Sequence, residues 1–135
     1  MSKKHRVTFG TNVGKIQKDI KRKLLFKMAA VKVDLRDYLD EKLEGDAGRT
    51  GHIYPHPDGG TYTASAPGEW PSEKTGDLRK SIRFKTIFNK DEISLEVSAD
   101  VPYAEELEDY MDRPFLSRAV DERLDEIKQI MTKPL

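Results

Sequence analysis

The stretch IRFKTIFNKDEISLEVSA, residues 82 to 99, carries the most decisive pattern in the chain. Ile82, Phe84, Thr86 and Phe88 alternate with polar residues, and Ile93, Leu95 and Val97 do the same beyond Asn89-Lys90-Asp91. A period of two belongs to a strand with one buried face, and two such runs around a short polar turn predict an antiparallel hairpin. Such a hairpin needs a cover for its apolar face from elsewhere in the chain.

Helices on either side are placed to supply that cover. From Asn12 to Glu44 the apolar residues Val13, Ile16, Ile20, Leu24, Met28, Val31, Leu35, Leu39 and Leu43 recur at steps of three and four, the period of an amphipathic helix. Asn12 stands as its N-cap and Gly45 as the residue that ends it. At 1.5 Å per residue the helix would run roughly 45–50 Å, more than a domain of this size uses. Part of it is therefore expected to pack on another subunit, or the helix breaks near Ala29 and Ala30. Beyond the hairpin, Pro102 opens a turn containing Tyr103, Ala104 and Leu107. A last helix follows, with Asp112 as N-cap, Pro114 in its first turn and Leu116, Ala119, Val120, Leu124, Ile127 and Met131 as its stripe, ended by Pro134.

Between the first helix and the hairpin the pattern loosens. Thr50 to Tyr54 reads as a short strand closed by Pro55. Residues 55–76 then hold Pro55, Pro57, Pro67 and Pro71 with Gly59, Gly60, Gly68 and Gly76, an extended loop of a length that is uncommon inside a compact domain unless it is functional. Thr75 is placed to cap a short helical turn that packs through Leu78 and Ile82. The order gives an α+β class: a long N-terminal amphipathic helix and a C-terminal helix packed on a small antiparallel sheet, with a long Pro/Gly-rich loop. Residues 1–135 fit a single domain that begins with a basic N-terminal arm over residues 1–11.

The chain has no cysteine, which excludes disulfides, thiolate metal sites and cysteine nucleophiles. No apolar run follows the basic start and none approaches the length of a membrane span, so a soluble protein without membrane contact is expected. Lys and Arg (24) balance Asp and Glu (24), but not evenly along the chain. Residues 1–36 hold eleven Lys/Arg against two Asp/Glu, and residues 91–126 hold three against thirteen. The two ends either neutralise each other within one chain or meet on neighbouring chains, head to tail.

Catalytic groupings are weak. His52, His56 and Asp58 resemble a ligand cluster, but Pro55 and Pro57 rule out the helix that would bring the two histidines onto one face. The acidic run Glu105-Glu106-Leu107-Glu108-Asp109 reads as a solvated face, not a pair of carboxylates with separated pKa values. Ser65, Ser72 and Ser81 lack a nucleophile elbow. No catalytic, cofactor or metal residue is therefore expected. The basic helix residues Lys15, Lys18, Lys21, Arg22, Lys23 and Lys27 could follow phosphates, which makes non-specific contact with passing DNA, or a small nucleic-acid-binding protein, the alternative reading. Trp70, the only tryptophan, is either a core residue or, as the favoured reading, an anchor that pins the loop to a surface, its own or a neighbour's, with a neighbouring protein preferred.

Four motifs in order point further: Ser65-Ala66-Pro67-Gly68-Glu69, Thr75-Gly76-Asp77-Leu78-Arg79-Lys80-Ser81-Ile82, Pro102-Tyr103-Ala104 with Leu107 and Glu108, and Arg113-Pro114-Phe115-Leu116 with Ala119. With the long helix before them, they resemble the neck or tail-completion proteins of long-tailed bacteriophages, tail terminators among them, over roughly residues 10–130. One difference is plain: where that family commonly follows Tyr-Ala with an aromatic and a glycine in a tight turn, this chain has Leu107-Glu108-Asp109-Tyr110-Met111.

The resemblance implies a non-enzymatic virion protein, assembled in the host cytoplasm as a ring, typically six-fold, at the head–tail junction. Its partners would be copies of itself, the tail tube protein and the neck or connector proteins, with head closure or another neck role as the alternative to tail termination. Lys15, Lys18 and Arg22 on the basic side, and Glu105, Glu108, Asp109 and Arg113 on the acidic side, are the candidate interface residues. Pro67, Glu69, Trp70 and Pro71 complete the set as a stiff arm. Deleting residues 64–73 is expected to leave a folded subunit that assembles poorly, and the hairpin could extend a sheet from one subunit to the next.

Overall fold

The alternating runs do form the hairpin. The computed structural model describes residues 3–9, 18–88 and 93–133. In chain order the elements are β1 (Lys3–Phe9), α1 (Lys18–Leu43), β2 (Ile53–Pro55), β3 (Thr61–Thr63), α2 (Asp77–Lys80), β4 (Ile82–Phe88), β5 (Ile93–Ala99), a π-helical turn (Glu106–Tyr110), α3 (Leu116–Glu122) and α4 (Leu124–Thr132). This is an α+β fold. Strands β4 and β5 pair antiparallel from Ile82↔Ala99 to Phe88↔Ile93, and Ile93, Leu95, Val97 and Ala99 are buried.

The first residues are not a free arm. β1 pairs antiparallel with β5 from Lys3↔Ala99 to Phe9↔Ile93, which gives the sheet order β1-β5-β4. His5 and Val7 share the face of β5's apolar residues, while Lys4 and Arg6 alternate with them. The basic residues hid this period of two, because only Val7 and Phe9 are strongly apolar. Central strand β5 thus has a partner on each side, and no backbone edge of it is open within the described register.

Helix α1 runs without a break through Ala29 and Ala30 to Leu43; the expected cap Asn12 lies outside the described residues. Met28, Val31, Leu35, Leu39 and Leu43 are all buried, each contributing about 1.5–3 kcal/mol of apolar burial. Polar clamps hold α1 to the C-terminal helices. Arg123 donates to both oxygens of Asp34 at 2.6 and 3.1 Å, Tyr38 donates to Glu122 at 3.0 Å, and Lys27 donates to the carbonyl of Met131 at 2.7 Å.

The expected last helix is two. Arg123, at φ −100 and ψ 10, breaks it into α3 and α4, and Leu124, expected in the buried stripe, is 38% exposed. Asp112 is not its N-cap: at φ 53 it sits in the left-handed region, and the helix opens at Phe115. The long loop is also partly ordered, since β3 inside it pairs with β2 from Ile53↔Thr63 to Pro55↔Thr61. Helix α2 is entered through Gly76 at φ 82 and has no side-chain cap; Thr75 Oγ1 stands at a marginal 3.4 Å from the amide of Asp77. No helix among the described residues is long and apolar enough to cross a membrane.

Candidate assembly region

Residues 64 to 72 lie across the chain's own core. Trp70 is 8% exposed, meets Tyr38 edge-on at 6.0 Å and receives the guanidinium of Arg118 over its face at 4.7 Å. Pro71 beside it is also buried. The indole therefore pins the arm to this chain, not to a neighbour, which corrects the favoured reading of Trp70 and Pro71. The reason lies in α1: Tyr38 flanks the stripe of Leu35 and Leu39, so the helix offers the indole an aromatic edge next to an apolar floor.

Three further ties fix the arm. Gly51 donates to the carbonyl of Ala64 at 2.8 Å, and a Cβ on Gly51 would stand 2.5 Å from that same oxygen, so only glycine fits. Glu69 accepts from the amide of Ala66 at 2.7 Å and from the amide and hydroxyl of Thr50 at 3.0 and 2.7 Å. The Ala66 amide, then the Thr50 hydroxyl and amide, hold the Glu69 carboxyl below its ordinary value. Arg49 donates to the carbonyls of Lys42, Ala47 and Pro71 at 2.6, 2.8 and 3.0 Å, which joins the C-terminal end of α1 to the arm. Burial lowers the Arg49 pKa, and its Nε is buried with no partner among the described residues.

At the other end the arm meets the corner before α3. Arg113 donates to the carbonyl of Ser65 at 2.7 Å and to its hydroxyl at 2.7 Å, Gly68 donates to the carbonyl of Asp112 at 2.6 Å, and Arg118 donates to the carbonyl of Gly68 at 3.1 Å. Glu108 caps α3 from outside the helix. Its carboxylate accepts from the amides of Phe115, Leu116 and Ser117 at 2.7, 3.1 and 2.8 Å and from the Ser117 hydroxyl. These are the amide donors that a helix start leaves without partners, and an anion there also meets the positive end of the helix. The turn carrying Glu108 closes as a π turn, with the amide of Met111 on the carbonyl of Glu106 at 2.8 Å.

Of the candidate interface residues, then, Glu69, Trp70, Pro71, Glu108 and Arg113 serve the fold itself. Asp109 pairs with Lys3 at 2.9 Å, which raises the Lys3 pKa, and Glu96 receives Arg6 at 3.1 Å and Lys4 at 3.7 Å. The charge polarity of the sequence is thus neutralised partly within one chain. Arg22 and Pro67 are exposed and Glu105 is half-buried. Lys15 lies outside the described residues, and of Lys18 only its place at the start of α1 is described.

His52 and His56 lie at the β2–β3 hairpin. The ring of His52 meets Tyr54 at 4.5 Å, while His56 Nε2 lies 2.9 Å from the carbonyl of Lys74 and its Nδ1 accepts from the amide of Asp58 at 3.1 Å. Among the described residues no group of three His, Asp or Glu is placed to hold a metal ion. A cleft of about 420 Å³ opens beside the arm, lined by Leu43, Tyr62, Pro71, Leu78, Tyr103 and Leu107 among others, with Glu73 and Arg79 paired at 2.8 Å at its wall. Compared with family models, curated proteins and solved structures, the chain has no match in any of the three.

Proposed function

We propose that the chain is a structural subunit of a long-tailed phage particle, forming a ring at the head–tail junction that ends the tail tube and joins it to the neck or connector. The observation that carries this reading is the convergence of the motifs behind the resemblance. Arg113 of the fourth motif donates to Ser65 of the first across a long stretch of chain, and Glu108 of the third accepts from the amides of Phe115 and Leu116 of the fourth, so three of the four meet at one corner. The glycine that the family places in this corner has a counterpart in conformation: Asp112 takes the left-handed backbone at φ 53, which aspartate tolerates better than most side chains.

The chemistry agrees with a scaffold. Glu69, Glu108, Arg49 and Arg113 are engaged in caps and loop ties, and the reading assigns no cofactor, metal or catalytic residue to the chain. The ring is six-fold by the resemblance, its location is the virion, and its partners are its own copies with tail tube and connector proteins. Head closure, or another neck position, is the alternative within the same class. Imaging of assembled particles with this chain labelled tests the reading: density at the neck or tail end is expected, and particles that lack the chain overturn it.

A further inference from the structure

Helix α1 has two apolar faces. One enters the core through Met28, Val31 and Leu35; on the opposite side Phe26, Ala29, Ala30 and Val33 are exposed, Phe26 by 66% and Val33 by 57%. Steps of three, four and seven from Phe26 place Ala29, Ala30 and Val33 in one strip. A single exposed apolar residue is ordinary, but a strip of this kind marks a contact surface. Its flanks are basic, with Arg22, Lys23, Lys32 and Arg36 exposed beside the carboxylate of Asp37.

A second patch has the opposite sign. Around the π-helical turn Tyr110, Met111 and Tyr103 are exposed by 76%, 44% and 42%, within a stretch, residues 100–112, that holds six carboxylates and no lysine or arginine. Glu108 is occupied as a cap and Asp109 by Lys3, while Asp100, Glu106 and Asp112 are exposed. Among the described residues neither patch covers the other within one chain.

We infer that the outer face of α1 in one copy docks on the π-helical turn of the next. The inference rests on the ring reading and supplies the contact that reading lacks. Two unlike patches make a heterologous contact, which adds subunits in one direction and closes into a ring when the rotation between copies allows it. Opposite charges set orientation and encounter, and Phe26 and Tyr110 supply the buried aromatic contact. Joining by sheet edges is disfavoured: β1 carries Lys4 and Arg6 and β4 carries Arg83 and Lys85, so edge-to-edge pairing sets like charges together.

The test uses the full chain with Phe26→Glu or Tyr110→Lys, each replacing a side chain more than half exposed, with unchanged thermal unfolding as the control for folding. Sedimentation velocity is expected to show self-association of the wild type, and a loss on the order of 30-fold or more for each variant alone. A one-to-one mixture of the two variants regains a two-chain species, because one intact pair of faces remains. The inference is overturned by a wild type that stays monomeric to about 1 mM, by a Phe26→Glu chain that associates like wild type, or by a mixture that remains monomeric. It is equally overturned if Phe26→Glu loses binding to random duplex DNA with its mass distribution unchanged. Particles that accept wild type and both variants equally sink the contact and keep the ring reading, whereas rings in solution that are absent from particles do the reverse.

Discussion

At Gly51 a single hydrogen atom stands where any side chain would strike the backbone of Ala64 and Ser65. Gly51→Ala is expected to cost about 1–3 kcal/mol, since the neighbour is backbone and cannot swing aside; denaturant unfolding followed by the single tryptophan measures it. At Asp112 the sign reverses. Its left-handed backbone suits glycine, and its carbonyl bond to Gly68 needs no side chain, so Asp112→Gly is expected to be neutral or to stabilise by up to about 1 kcal/mol. Glu69 gives the arm a pH dependence. Its carboxyl titrates below the ordinary value of 4.5, so the stabilisation is complete above that pH and is lost as pH falls through the folded value. Trp70 emission should therefore move to the red at a pH below 4.5, and Glu69→Gln should remove that step. An unchanged titration in the variant would assign the acid response to another carboxylate such as Glu96, which Arg6 also holds low.

Among the elements, α3 depends most on a residue outside itself. Glu108→Ala removes the acceptor for three amides and is expected to cost about 1–2 kcal/mol, read as a shift in the denaturant midpoint without a change in slope. The arm behaves in the same way. Deleting residues 64–73 takes Trp70 and Pro71 out of the core and Ser65 away from Arg113, so the deletion is expected to destabilise the subunit before it affects assembly. Thermal unfolding separates the two outcomes, and a deletion that unfolds like wild type sinks this account. Periodicity made the hairpin, the body of α1 and the burial of its stripe legible in the sequence, because each repeats over several turns or several alternations. The cap of α3 was not legible, since Asp112 is the nearer residue of the right type and nothing local to Glu108 announces that a π turn will carry it to the helix start. Nor was β1, whose alternation is masked by Lys4, Arg6 and His5. The position of Trp70 was half legible: its anchoring role follows from the loop around it, but which surface it meets depends on Tyr38 and Arg118, both distant in sequence.

Over the whole molecule, the sheet has its most sequence-distant pairing at its first strand. Strands β4 and β5 are separated only by residues 89–92 and can pair as soon as both exist, whereas β1 meets β5 across α1 and everything that follows it up to the hairpin, Lys3 against Ala99 and Phe9 against Ile93. Distant pairings are slow to form, because the chain between them must be ordered or looped before the contact rewards it. The consequence concerns time. Of the three strands of this sheet, the first to leave the ribosome is the last that can find its place, and until it does one edge of β5 is open to pairing with another chain. In refolding followed by pulsed hydrogen exchange, the amides of β4 and β5 should gain protection before those of β1; simultaneous protection would refute this order. Bulk fused ahead of Lys3 should lengthen that interval and raise aggregation, whereas the same bulk behind Lys133 should not.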